Sequence, residues 1–439
     1  MLIEFRLKNF RSFAAERRIS MVAGAGKELA DQTIKAKGFE SHPLLRSAAI
    51  FGANASGKSN LINAFLFMRS FIILSSGPKI EGGKIPVTPF RLDERFDSEP
   101  SEFEITFLRE GIRHQYGFVV SPDRVIEEWL IVYPNGKKQE WFHRTNGENG
   151  GSKWYWSRPH FKGDKTKLAE RTRSDALFLT VAAQWNHLQI KPIHDWFINH
   201  LSVAPKNVGA MGFTLGKLNT DPSFCDWASD IVRSADFGID HLIAKERDPI
   251  NPEKLVFADE IPDSFKDFLK TSLIHDSRIN NELKIAVNIV RRINGGEKEV
   301  VWDLSNESDG TKRMLELLGP IYSVLSRRMI LIVDEIDTSL HAYLTRALVR
   351  LFNDPATNPN CAQLIFTTHD TTLLDTTLFR RDQIWFTQKD ESGATDLFSL
   401  HDFSPRIDEA IQKGYLVGRY GAIPDLKRFS FPEELRLTN

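Results

Sequence analysis

The chain has 439 residues, more than a single hydrophobic core usually serves, so two or more lobes are expected. Its 57 basic and 58 acidic side chains nearly cancel, which excludes a nucleic-acid binder acting through bulk charge but not one acting through a local patch. Two cysteines, Cys225 and Cys361, are too few for a disulfide framework or a tetrahedral thiolate metal site, and they suit a reducing cytoplasm.

Met1 to Phe13 alternates apolar residues (Leu2, Ile3, Phe5, Leu7) with charged ones (Glu4, Arg6, Lys8), the pattern of a half-buried opening strand leading to Asn9-Phe10-Arg11-Ser12-Phe13. Those charges interrupt every apolar run there, so no signal peptide is expected. Ser47 to Phe51 reads as a buried strand and Asn60 to Ile73 as a helix. Between them, Gly52-Ala53-Asn54-Ala55-Ser56-Gly57-Lys58-Ser59 fits the phosphate-loop pattern G-x-x-x-x-G-K-[ST], and Asn60 follows it. In such a loop successive backbone N–H groups wrap an anion, which requires the small residues Gly52 and Gly57. The helix N-terminus faces the phosphates, Lys58 reaches the β and γ oxygens, and the Ser59 hydroxyl is placed to ligate Mg²⁺. ATP and Mg²⁺ are therefore the expected cofactors. The stretch Leu61 to Leu74 contains Arg69 and is shorter than a bilayer span, so it is read as the helix behind this loop, with no membrane partner.

The N-F-R-S-F element together with the G-x-N-x-S-G-K-S-N loop resembles the RecF/SMC branch of ABC-type ATPases. In that branch the N-F-R-S region lies near the nucleotide. The resemblance makes Arg11 a candidate contact, and an ordinary exposed loop arginine is the other reading.

A Gly- and Pro-dense connection spans Gly77 to Pro89. Strand-like runs follow at Phe103 to Phe107, Arg113 to Val120, Val125 to Tyr133 and Gln139 to Arg144, which predicts an antiparallel meander. Trp129, Trp141, Trp154 and Trp156 fall in or beside it, and cross-strand packing is favoured over nucleobase stacking for them. Between Lys153 and Arg173, seven basic residues face the acids Asp164 and Glu170. Either a docking surface for nucleic acid or an acidic protein, or a solvated face, accounts for them. Leu177 to Gln184 reads as an apolar strand or helix end and Trp185 to His200 as a loop and an amphipathic helix, opening a second lobe, to about Arg292, read as mostly helical, with the longest pattern at Phe265 to Ile293. ABC-type ATPases use a glutamine near the lobe junction to sense Mg²⁺ and the γ-phosphate. Gln184 occupies a comparable place, with Gln115 as rival.

Glu307-Ser308-Asp309-Gly310-Thr311-Lys312-Arg313 heads a helical run, where Ser308 fits an N-cap and Gly310 a turn residue. Its S-x-G-T-x-R form also resembles the signature motif of this ATPase branch, whose serine, glycine and helix N-terminus reach the γ-phosphate bound by the opposite subunit. It departs from the L-S-G-G-Q of transporters. Met329 to Val333 is a continuous apolar strand ending in Asp334-Glu335, a pair that cannot be buried without a partner such as a cation. Asp334 is placed to hold Mg²⁺, and Glu335 to orient and polarise the attacking water. Asp337 to His341 matches a D-loop, in which His341 is read as structural. The strand Ala362 to Thr368 delivers His369, which resembles the switch histidine that contacts the γ-phosphate.

The whole implies an α/β P-loop NTPase of ABC type, with a mixed sheet, an antiparallel β meander and a helical second lobe. Residues 1–175 and 301–439 are expected to form the ATPase core, and 176–300 the helical lobe. By the resemblance, hydrolysis takes a head-to-tail homodimer, or a higher homo-oligomer, closing on two ATP molecules. Long heptads are missing, which excludes a chromosome-organising rod. The layout, including the late Gly418 to Pro424 segment, resembles the stand-alone ATPases of bacterial anti-phage defence, of the RloA or abortive-infection type. Those are sensors that regulate an effector protein, commonly a nuclease, from a neighbouring gene. The alternative is a RecF-like repair ATPase that grips DNA on binding ATP. An ATPase fused to its own nuclease is disfavoured, because only seventy residues follow His369.

Overall fold

The computed structural model describes residues 1–77, 84–147, 151–205, 210–246, 285–293, 296–406 and 409–424. Its centre is a six-stranded sheet in the order Leu201–Ala204, Ile330–Val333, Gln363–Thr367, Ser47–Gly52, Ile384–Lys389, Thr395–Ser399. The first five strands are parallel and the last is an antiparallel edge. Every residue of Ser47–Gly52, Ile330–Val333 and Gln363–Thr367 is buried, as expected for strands covered on both faces. Val333 pairs with Phe366, and Thr367 with Ile50, so these three strands reach their carboxyl ends side by side.

A second, seven-stranded sheet is wholly antiparallel. It runs Ser152–Trp156, Gln139–Asn146, Val125–Tyr133, Ile112–Val120, Ser101–Arg109, Leu2–Lys8, Arg17–Ser20. The expected meander is thus present, and the opening strand is part of its sheet. The helix Lys58–Leu74 lies between the two sheets and shares one core with both: Leu61, Ala64 and Met68 join Ile50, Ile332 and Ile365 from one sheet and Phe5, Phe103 and Phe118 from the other. Phe65 stacks on Phe5 at 3.9 Å. A helix apolar all round is the sequence consequence of having two buried faces. The tryptophans pack on neighbouring aromatics: Trp156 lies 6.3 Å from Phe142, its partner on the adjacent strand, while Trp154 and Trp156, on one strand, stack at 4.7 Å and both lie against Phe178 of a following helix.

On the other face of the central sheet lie Asp309–Arg327 and Ala342–Asn353, whose apolar sides meet Leu331, Leu364 and Phe366. The second lobe packs on the first of these helices through Ala210–Thr220 and Pro222–Ser234, with Phe224 5.1 Å from Tyr322. It also holds a three-stranded antiparallel sheet, His241–Glu246, Ile285–Ile293, Lys298–Asp303. The helical reading of Phe265 to Ile293 therefore fails at its end: Ile285–Ile293 is the central strand, and its run of β-branched residues, with Val287, Ile289 and Val290 buried, fits a pleated surface. The rest of that stretch lies outside the described residues. Among the described residues no helix is long and apolar enough to cross a membrane. The architecture is that of an α/β P-loop NTPase with a mixed central sheet.

Candidate functional site

The phosphate loop leaves its strand at Gly52 and enters the helix at Lys58, with Gly52 at φ 152° and Gly57 at φ 114°. A Cβ on Gly52 would stand 2.5 Å from the Thr387 carbonyl oxygen, and one on Gly57 would overlap the Thr395 side chain. The glycines thus answer close packing behind the loop as well as the chain reversal. Ser56 is buried there, its hydroxyl 2.6 Å from Thr387 Oγ1, while Asn54 and Ala55 are exposed on the outer rim. Thr395 Oγ1 donates to the Ser56 carbonyl (2.9 Å) and sits 2.8 Å from Ser12 Oγ, which also accepts from Asn60 Nδ2 (2.8 Å). The N-F-R-S element therefore braces the loop through Ser12. Arg11 is exposed, with its guanidinium over Phe10 and its backbone N–H on Thr88.

Lys58 Nζ donates to the carbonyls of Gly52 (2.8 Å) and Ala53 (3.0 Å) and lies 3.5 Å from His369 Nδ1. Burial lowers its pKa to about 8, opposed by Glu335, Asp334 and Asp337. His369 Nε2 is 3.9 Å from Glu335 Oε1, and its backbone N–H donates to Asp337 Oδ2 (3.1 Å). Lys58, His369 and Glu335 thus form one line, supplied by three adjacent parallel strands.

Asp334 is buried at its strand end and accepts from Thr367 Oγ1 (2.6 Å). The same hydroxyl accepts from the Glu335 N–H (2.7 Å), so Thr367 sets both acids. Glu335 has φ 47°, an uncommon conformation for a glutamate that turns the chain at the strand end. Its Oε2 accepts from Thr338 Oγ1 (3.0 Å). Hard oxygen donors suit Mg²⁺: the Ser59 hydroxyl, half-buried in the first helical turn, and the Asp334 carboxylate; among the described residues Asp337 Oδ1 is also buried without a hydrogen-bond partner.

Ser308 caps the helix Asp309–Arg327 by accepting from the Thr311 N–H (3.2 Å) and is exposed at its N-terminus. Gly310 packs on the D-loop, where a Cβ would stand 2.7 Å from the Ser339 carbonyl oxygen. Arg313 lies against the carbonyls of Asp334 (3.4 Å) and Glu335 (3.3 Å). His341 caps the helix Ala342–Asn353, a structural role.

A family model described as "AAA domain, putative AbiEii toxin, Type IV TA system" matches residues 47–375. The chain belongs to this AAA-domain family. No curated protein sequence matches this AAA-domain chain. Among solved structures it is similar to an SMC head bound to the C-terminal winged-helix domain of ScpA (15% identity, covering 91% of this chain and 97% of that one, TM-score 0.41). It is also similar to the SMC head domain from Thermotoga maritima (14%, 91% and 98%, 0.38). A third is the SMC head with extended coiled coil bound to the C-terminal domain of ScpA, derived from Pyrococcus furiosus (12%, 95% and 98%, 0.38).

Two expected residues of this AAA domain do not reach the site. Gln184 ends the helix Phe178–Gln184, which docks through Thr180 on the Ile72 carbonyl (2.6 Å) and on Ser75 Oγ (2.9 Å). That anchor lies fourteen residues along the helix from Lys58, about 21 Å at 1.5 Å per residue. Gln184 is exposed at the wrong end of the helix to sense a γ-phosphate. Gln115 is engaged within the meander by Glu104 (2.9 Å) and Tyr133 (2.9 Å). Conversely, Thr367, Thr387 and Thr395 support the site without any motif to announce them, and only their positions on central-sheet strands hint at it.

The low Lys58 pKa has a consequence for binding. A polyphosphate favours the ammonium form, so above about pH 8 the free protein must take up a proton to bind. We expect nucleotide affinity to be level below pH 8 and to fall toward about tenfold per unit above it. Calorimetric titration with a non-hydrolysable ATP analogue between pH 7 and 9.5 reads this directly. An affinity that stays constant through that window excludes the assignment.

Proposed function

We propose that this chain binds ATP with Mg²⁺ on residues 52–60 and hydrolyses it in a head-to-tail homodimer or higher homo-oligomer. In this reading it is a sensor that regulates an effector protein in anti-phage defence. The observation that carries the ATPase reading is the line Lys58–His369–Glu335 beside Asp334, at the ends of three neighbouring parallel strands. The loop N–H groups and Lys58 hold the phosphates, and Ser59 and Asp334 hold Mg²⁺. Bound Mg²⁺ would supply charge neutralisation of the phosphates. Glu335 orients a water for in-line attack and accepts its proton, and His369 lies within reach of both Glu335 and Lys58 to report the γ-phosphate.

The dimer reading rests on Ser308 and Gly310. Ser308 bonds to Thr311 within its own helix, and Gly310 packs on its own D-loop, which leaves the exposed helix N-terminus available to a second copy's nucleotide. The defence reading is supported by the family description, which names a toxin of a toxin–antitoxin system.

Native mass and composition after co-expression with the genomic neighbours, with and without nuclease digestion, tests the defence role. A digestion-resistant assembly with a second protein is expected. Recovery of the ATPase alone, or only with digestible nucleic acid, would favour the RecF-like alternative.

A further inference from the structure

A groove of 610 Å³ lies at the far end of the helix Lys58–Leu74 from the phosphate loop, between Lys162–Arg171 and the turn Trp185–Gln189. Its two walls are tied together: Lys162 N–H donates to Gln189 Oε1 (2.7 Å), and Gln189 Nε2 to the His160 carbonyl (2.9 Å). Gly163, at φ 94°, lets the first wall approach His187, since a Cβ there would meet His187 Nε2 at 2.7 Å. The groove is therefore preformed.

Its lining is unusual for a solvated surface. Trp185 is 57% exposed, and the Arg171 guanidinium lies 3.9 Å from the centre of its ring. Lys162, Lys167 and Arg171 are exposed around it, with Arg158 and Lys165 nearby. Among the described residues, Asp164 pairs with Lys167 (3.2 Å), and no acid pairs with Lys162 or Arg171. His187 is 8% exposed, and its Nε2 must donate to the Lys162 carbonyl (2.9 Å), which makes Nδ1 a hydrogen-bond acceptor. Among the described residues that Nδ1 has no hydrogen-bond partner, and it is closed to solvent, so His187 belongs to the groove wall. A flat aromatic–guanidinium surface and a cationic rim together match a nucleobase on its backbone: a π-face and phosphates.

We propose that this groove is a stacking platform for single-stranded nucleic acid, with a base on the Trp185–Arg171 pair and Lys162 and Lys167 on phosphates. The site is separate from the ATP site and does not depend on it. A duplex hides its base faces, so the groove prefers single strands.

Fluorescence anisotropy of labelled dT20 and rU20 with the full chain, with and without ATP, tests it. Salt-sensitive binding is expected, weakened about tenfold or more in Trp185→Ala, the share of one base stack. The double variant Lys162→Ala/Lys167→Ala should lose affinity and flatten the salt dependence. Trp185 is a surface residue, and unchanged ATPase activity and circular dichroism of Trp185→Ala would certify its fold. Binding that Trp185→Ala leaves intact, or that polyglutamate competes away as well as dT20 does, overturns the proposal. So does absence of binding to both oligonucleotides at low salt.

Discussion

Glu335→Gln is expected to lower steady-state ATP hydrolysis by about two to four orders of magnitude while leaving ATP binding in place. Glutamine keeps the shape, so Thr338 can still donate to its oxygen and the strained turn at φ 47° is preserved. It removes the negative charge and the ability to take a proton from water. Lys58, Ser59 and Asp334, which hold the phosphates and metal in this account, are untouched. Phosphate release and equilibrium nucleotide binding measured on the same preparation separate the two effects. Loss of binding together with hydrolysis would place Glu335 in nucleotide binding, and full activity would remove it from the chemistry.

The largest expected stability effect lies away from the site. Glu128 is fully buried, and its carboxylate accepts from Tyr116 OH (2.9 Å), Phe178 N–H (2.7 Å) and Leu179 N–H (2.9 Å). Buried Arg144 lies 3.7 Å from it and also donates to the carbonyls of Ala176 (2.7 Å) and Arg173 (2.9 Å). The carboxylate thus caps a helix from across the meander and balances a guanidinium. Glu128→Ala leaves that charge and three donors without their acceptor, which costs about 3–5 kcal/mol, a large share of a typical total of about 5–15 kcal/mol. Urea unfolding should show the loss, or the variant should fail to accumulate as folded protein. A change below about 1 kcal/mol would mean that water or a shifted side chain replaces the carboxylate. The capped helix anchors the end of Lys58–Leu74 through Thr180, so nucleotide binding should weaken with it.

What was legible in the sequence was what local chemistry forces. The phosphate loop needs Gly52 and Gly57 beside Lys58, and an apolar strand running into Asp334-Glu335 leaves two carboxylates at a strand end, where they need partners such as a cation or hydrogen-bond donors. Both motifs stand where their elements were expected, as does the meander. What depends on how distant segments meet was not legible. Thr395 and Ser12 are far apart in the chain yet both brace the loop, because the edge strand and the N-F-R-S turn converge behind it. Gln184 failed for the same reason: its short apolar run suited a strand or a helix end, and nothing local showed on which end of Lys58–Leu74 it docks. Ile285–Ile293 was misread because its apolar spacing suits either period, and pairing on both sides decided for a strand.

In the proposed assembly, two copies complete each other's sites through Ser308 and Gly310. The native mass of Glu335→Gln, measured by light scattering with and without ATP and Mg²⁺ over a range of concentrations, tests it most directly. The account predicts that ATP converts the protein to a dimer or a larger even-numbered assembly, and that adding Ser308→Arg abolishes the conversion while ATP still binds. A Glu335→Gln protein that binds ATP and remains a monomer at every concentration would contradict it.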